Sequence, residues 1–142
     1  MPLLSCAGTR PSNLGVKGSR LAACPSSPNC VSSDDADISH RIPAFQLAVP
    51  VDVAWRTVRT TIANQPRTKI ITETDDYFYA ECSSWFFGFV DDLELHLRAT
   101  HNLIAVRSAA RLGYSDFGVN RKRVENLRAL LVNQGIARQS EP

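Results

Sequence analysis

The sequence predicts an α+β domain: one antiparallel sheet with two helices packed on the same face, in the order β-α-β-β-β-β-α. Three observations predict it. "VDVAWRTVRTTIANQP" and "SDFGVNRKRVENLRALLVNQG" carry apolar residues at helical spacing. Between them, four hydrophobic stretches separated by turn signals read as strands. The 142 residues, 44% hydrophobic and 21% charged, suit one domain with its own core.

Each element has its own signal. "IPAFQLAV" is a short apolar stretch ending at Pro50, read as the first strand. In the first helix, Val51, Trp55, Val58 and Ile62 share one face, and Pro66 stops the chain. "TKIITETDD" is a strand and turn, and "YFYAECSSWF" is the next strand. "WFFGFVDDLELHLR" follows, then a turn at "ATHN" and the strand "LIAVRSAARL". The last helix puts Val124, Leu127 and Leu131 on one face. Ser115, Asp116 or Asn120 can cap it, and Gly135 ends it. An antiparallel meander must cover its apolar face, and two amphipathic helices suffice.

The organisation expected is a tether or signal remnant over 1–22, a cysteine-loop segment over 23–40, the globular domain over 41–136 and a tail over 137–142. Residues 1–40 show neither period and are rich in Ser, Pro, Gly and Asn. "LLSCAG" resembles a bacterial lipoprotein box, with Cys6 as the residue to be lipidated. The apolar stretch that should precede it is missing, because only four residues come before Ser5. In "CPSSPNCVSSDD", Cys24 and Cys30 sit across a Pro-bent loop. A local disulfide, which requires an oxidising compartment, fits better than zinc, and two reduced cysteines are the alternative.

Net charge is +2, so nothing global argues for nucleic acid. Charge is unevenly placed, however. Ile70 to Leu97 holds seven acids and no base, whereas Arg98 onward holds eight bases against three acids. The two segments are expected to pair. Thirteen of the basic residues are Arg, which suits bidentate carboxylate contacts.

The acidic strand sharpens this. Side chains alternate across a sheet. Phe87, Phe89, Leu93, Leu95 and Leu97 share one face with Asp91, while Asp92, Glu94, His96 and Arg98 take the other. Asp91 is therefore expected to be shielded and fastened to the start of the last helix, by "GYSDFGVN" groups or by an Arg. Counting back from the "ATHN" turn puts Glu94 opposite Arg107, with Arg111 on the same face. The plain reading of that face is a solvated ion-pair lattice. The sharper one is a binding surface.

"CPSSPNCVSS", "FGFVDDLEL" and "VRSAARLGYSDFGVNRKRVENLR" resemble an uncharacterised bacterial and plastid family, a domain of unknown function. The likeness covers roughly residues 12 to 132. Many such proteins are lipoproteins, which favours Cys6, but the resemblance implies no reaction. It does imply a polar motif set: Asp91, Asp92, Glu94, Arg107, Ser108, Arg111, Ser115, Asp116, Asn120 and Arg123. Cys82 stands outside that set and reads as a small buried hydrophobe.

No metal set is expected. Adjacent Asp91 and Asp92 point to opposite faces, and His40, His96 and His101 are scattered, each read as a turn or surface histidine. "GYSDFGVN" lacks nucleotide-loop spacing and reads as a helix start. The reading reached is a cell-envelope module, lipid-anchored on the periplasmic side, that binds a small ligand or an envelope protein without catalysis or cofactor. The alternatives are a hydrolase using Asp91, Asp92, Glu94 and Arg107, or nucleic-acid binding by the basic last helix.

Overall fold

The computed structural model describes residues 7–84 and 88–140. Cys6 and Phe87 fall outside them. The elements are β1 (Cys30–Ser32), β2 (Phe45–Gln46), α1 (Val51–Ala63), β3 (Thr68–Glu73), β4 (Tyr77–Ser83), β5 (Val90–Arg98), β6 (Leu103–Ala110) and α2 (Val119–Asn133). One six-stranded antiparallel sheet runs β1-β6-β5-β4-β3, and β2 also pairs with β6. The expected α+β class and two-helix layer are what forms.

Side-chain alternation builds the core. Phe78 and Ala80 of β4, Leu93 and Leu95 of β5, and Ile104 and Val106 of β6 share one sheet face. Ala54, Trp55, Val58 and Ile62 of α1 and Val124, Leu127 and Leu131 of α2 close over it. Phe45, fully buried, is what the short strand β2 contributes. Gly135, at φ 75°, ends α2. Ile136 N donates to Leu131 O and Gly135 N to Val132 O, which satisfies the last carbonyls. Asp116 caps the other end: it accepts from Gly118 N and Asn120 N, both at 2.9 Å.

Three expectations need correction, and the "ATHN" turn forms with the expected pairing of Arg98 with Leu103. The "IPAFQLAV" strand shrinks to two residues, because only Phe45 and Gln46 reach β6. The "ATHN" turn contains a 3-10 turn over Ala99–His101 with Asn102 left-handed. Phe89 lies before β5 and is half exposed, so the apolar row begins at Leu93. The cysteine-loop segment is part of the sheet, since Cys30–Ser32 pairs with β6.

The largest correction concerns the second sheet face. It is covered, not solvated. Residues 8–23, nearly all within the tether expected over 1–22, lie across it: Gly15 N reaches Glu94 and Arg107 reaches Ala23 O. The Cys24–Cys30 disulfide, with Cα atoms 5.7 Å apart, ties this covering segment to β1. Leu21 N and Cys24 N bind Asp34 and Asp35, which fixes the path.

Candidate functional site

The sheet divides the expected polar set in two. Asp92, Glu94, Arg107 and Arg111 lie under the N-terminal segment. Asp91, Ser108, Asn120 and Arg123 lie on the helix side.

Under the N-terminal segment, acids and arginines consume one another. Asp92, 1% exposed, accepts from Arg111 Nε at 3.0 Å and from the Tyr79 hydroxyl at 2.5 Å. Arg111 also binds Glu81, which Arg10 reaches at 3.0 Å and the Tyr79 hydroxyl at 3.3 Å. Glu94 faces Arg107 in register, as expected. It accepts from Gly15 N at 2.8 Å and from the Tyr77 hydroxyl at 2.6 Å. Burial, with the adjoining carboxylates, holds both tyrosine hydroxyls protonated well above their usual range. The acidic and basic segments do pair, as charge placement suggested. Covering the face converts the expected surface lattice into a buried one.

On the helix side, Asp91 Oδ2 lies 2.7 Å from Arg123 Nη2. Burial raises the Asp91 carboxyl against the pull of Arg123. Arg123 Nη1 donates to Asn120 Oδ1 at 2.8 Å, and the Ser108 hydroxyl donates to the same oxygen at 2.6 Å. Asn120 returns a bond to Asp116 at 2.9 Å. The fastener expected at Asp91 exists, made by an arginine of α2. Ser115 stands apart, exposed, accepting only from Phe117 N at 3.2 Å among its described bonds.

A cleft of about 320 Å³ opens beside this fastener, between the end of α1, the start of β3, the end of β4 and the start of α2. Ile62, Pro66, Leu93 and Leu127 form its apolar floor. Arg67, Lys122 and Arg123 stand at its wall, and among the described residues no acid lines it. Arg67 is held by its Nε bond to Ser83 O at 3.2 Å. Cys82 lines the cleft but is buried, and burial raises its thiol above the usual value, so it is a poor nucleophile. The motif reading reached Arg123 but missed Arg67 and Lys122. Only the tertiary approach of α1 to α2 brings those cations together.

These placements weigh against both alternatives. The proposed hydrolase set does not converge, since Asp91 is on one sheet face and Asp92, Glu94 and Arg107 are buried on the other. The arginines of α2 are structurally engaged. Arg121 binds Arg41 O at 3.1 Å, and Arg128 binds Ala44 O at 3.0 Å and stacks 4.8 Å over Phe45. His96 is buried in β5, contrary to the turn-or-surface reading, whereas His40 lies in a turn as expected, though buried there. His40 Nδ1 lies 3.0 Å from Cys30 O, whereas His101 is exposed on its turn.

A family model described as "Protein of unknown function (DUF1499)" covers residues 20–131. No curated protein and no solved structure matches.

Proposed function

The chain belongs to the DUF1499 family of unknown function, and we propose that it is a non-catalytic envelope module that binds a small organic anion in the cleft beside Arg123. The observation that carries this reading is the convergence of Arg67, Lys122 and Arg123 over an apolar floor, in a cavity of about 320 Å³. That combination, a mostly apolar pocket with a few placed polar groups, is what ligand sites share. Asp91 holds the Arg123 guanidinium in place, so its orientation precedes binding. Lys122 and Arg67 supply the charge that Asp91 does not offset. A ligand with a carboxylate or phosphate head and a short apolar body meets both parts of the cleft.

Location rests on separate support. The Cys24–Cys30 bridge belongs to oxidising compartments, and "LLSCAG" resembles a lipoprotein box. The periplasmic side, with Cys6 lipidated, is the location proposed. Cell fractionation with mass spectrometry of Cys6, Cys24 and Cys30 tests it. Free thiols at Cys24 and Cys30 in the native compartment would overturn it.

Titration of the protein with octanoate, followed by amide NMR, tests the cleft. Saturable shifts are expected at Thr68, Ser83 and Asn126. They should weaken in Lys122→Glu and vanish in Asn126→Trp, which fills the cleft from an exposed helix position. Shifts that persist unchanged in Asn126→Trp, or no saturable shift in the wild type, would end this reading.

A further inference from the structure

The most exposed large apolar side chains gather at one end of the sheet. Phe117 is 93% exposed, Ile38 86% and Tyr114 72%, and Leu112 is also exposed. Ser39 and Gly118 line one hollow, so the loops that carry Ile38 and Phe117 are neighbours. Phe117 sits at φ 53°, a left-handed conformation that costs free energy for any residue with a side chain. Glycine or asparagine would serve the turn better. A phenylalanine held there and turned to water calls for a partner.

Three features identify that partner. The chain leads out of the domain at this same end: a Cβ on Gly8 would lie 3.0 Å from Leu112 Cγ. Cys6 precedes Gly8 by two residues in the sequence. Two cations, Arg121 and Lys122, are exposed just past the loop, while Asp37, exposed beside Ile38, accepts from the amide and hydroxyl of Ser39. Asp116, the one acid in residues 111–119, is spent on the amides of Gly118 and Asn120. The side chains also suit a bilayer interface, where aromatic residues sit at headgroup depth and cations meet anionic headgroups.

We infer that this end of the domain docks on an anionic lipid bilayer, with Phe117, Ile38 and Leu112 entering the interface and Arg121 and Lys122 facing lipid phosphates. Tyr114 keeps its hydroxyl at headgroup level. The inference rests on the envelope location proposed above and shares only Lys122 with the cleft. A lipid on Cys6 would hold this end at the membrane, and the apolar loop would then set the orientation of the domain.

The test uses the full chain with Cys6→Ser, which carries no lipid, in co-sedimentation with vesicles. Binding is expected to phosphatidylcholine vesicles containing phosphatidylglycerol, and weaker binding to phosphatidylcholine alone. Phe117→Ser and Ile38→Ser should each reduce it about tenfold or more, from the apolar surface lost. Both positions are exposed, so the melting temperature and the octanoate shifts should not change. Equal binding by the variants, or no vesicle binding at all, would overturn the inference. So would a concentration-dependent dimer that Phe117→Ser abolishes, which would give the face to a second copy. The vesicle assay needs no octanoate and the cleft titration needs no lipid, so either reading can fail alone.

Discussion

Glu94 Oε1 and Arg107 Nη1 lie 3.6 Å apart across β5 and β6, and neither side chain is more than 4% exposed. The pair is loose for a buried one. Glu94 Oε1 and Arg107 Nε have no hydrogen-bond partner among the described residues. Burial therefore pushes the Glu94 carboxyl above its ordinary value, although Tyr77, Gly15 N and Arg107 all pull it down.

The first prediction follows from that shift. A carboxyl raised in the folded state keeps its proton to higher pH than in the unfolded chain. Its contribution to stability then falls as pH rises from the ordinary carboxylate value through the folded one. Glu94→Gln removes this dependence. The melting-temperature difference, variant minus wild type, should climb with pH across that window and level off above it. Losing the charge offsets the curve but does not change its slope. A difference that stays flat from acid to neutral pH would count against the shift.

Asp34 should show the opposite sign. Burial works against its charge, but hydrogen bonds from Arg98 and Leu21 N outweigh burial and hold the carboxyl low. Arg98 grips it with Nη1 at 2.8 Å and Nη2 at 2.5 Å. The stability it contributes is present above the unfolded value and is lost as pH falls through the folded one. Asp34→Asn should lower the melting temperature at neutral pH and leave it nearly unchanged in strong acid. A deficit that persists in strong acid would mean the loss is not electrostatic.

Asp91 and Asp92 are neighbours in sequence and face opposite layers. Asp91→Asn should cost about 1–3 kcal/mol, by weakening the hold on Arg123. From alternation alone, Asp92 reads as an outer charge of small consequence. Buried with Arg111 and Tyr79, its loss should cost more, on the order of 3 kcal/mol, because Arg111 then keeps only Glu81 as a carboxylate partner. Urea denaturation of the two variants measures the order. Asp92→Asn at wild-type stability would mean that the face opens in solution.

The same pair marks where the sequence stops being legible. Period-2 alternation and the turn count place Glu94 opposite Arg107 and set Asp91 in the core row, because those are local consequences of a pleated strand. Solvation of the opposite face is not local. It depends on residues 8–23, which carry neither helical nor strand period and so look like a tether. Their ordering comes from scattered backbone donors, such as Gly15 N and Leu21 N, meeting carboxylates far along the chain. No periodic pattern encodes such contacts. The cleft was hidden for a related reason, since Arg67 and Lys122 meet only after both helices dock.

The covering role of the N-terminal segment gives the last prediction. Deleting residues 1–16 removes Arg10 from Glu81 and Gly15 N from Glu94, and exposes Tyr77, Tyr79 and the buried acids to water. The lost bonds weaken the face, but hydration of Glu94 and Asp92 returns part of the cost. The net loss should be on the order of 3 kcal/mol. Amides of β4 and β5 should exchange faster, while those facing α2 change less. Arg10→Ala alone should do little, because Arg10 is largely exposed. The pH dependence separates a cover from a mere contact. With water admitted, the desolvation that raises Glu94 disappears, so the truncated protein should lose the acid-range slope just as Glu94→Gln does. Glu94→Gln made in the truncated chain should then change that slope no further. A truncated protein that melts with the wild-type temperature and slope would return the segment to the role of a tether.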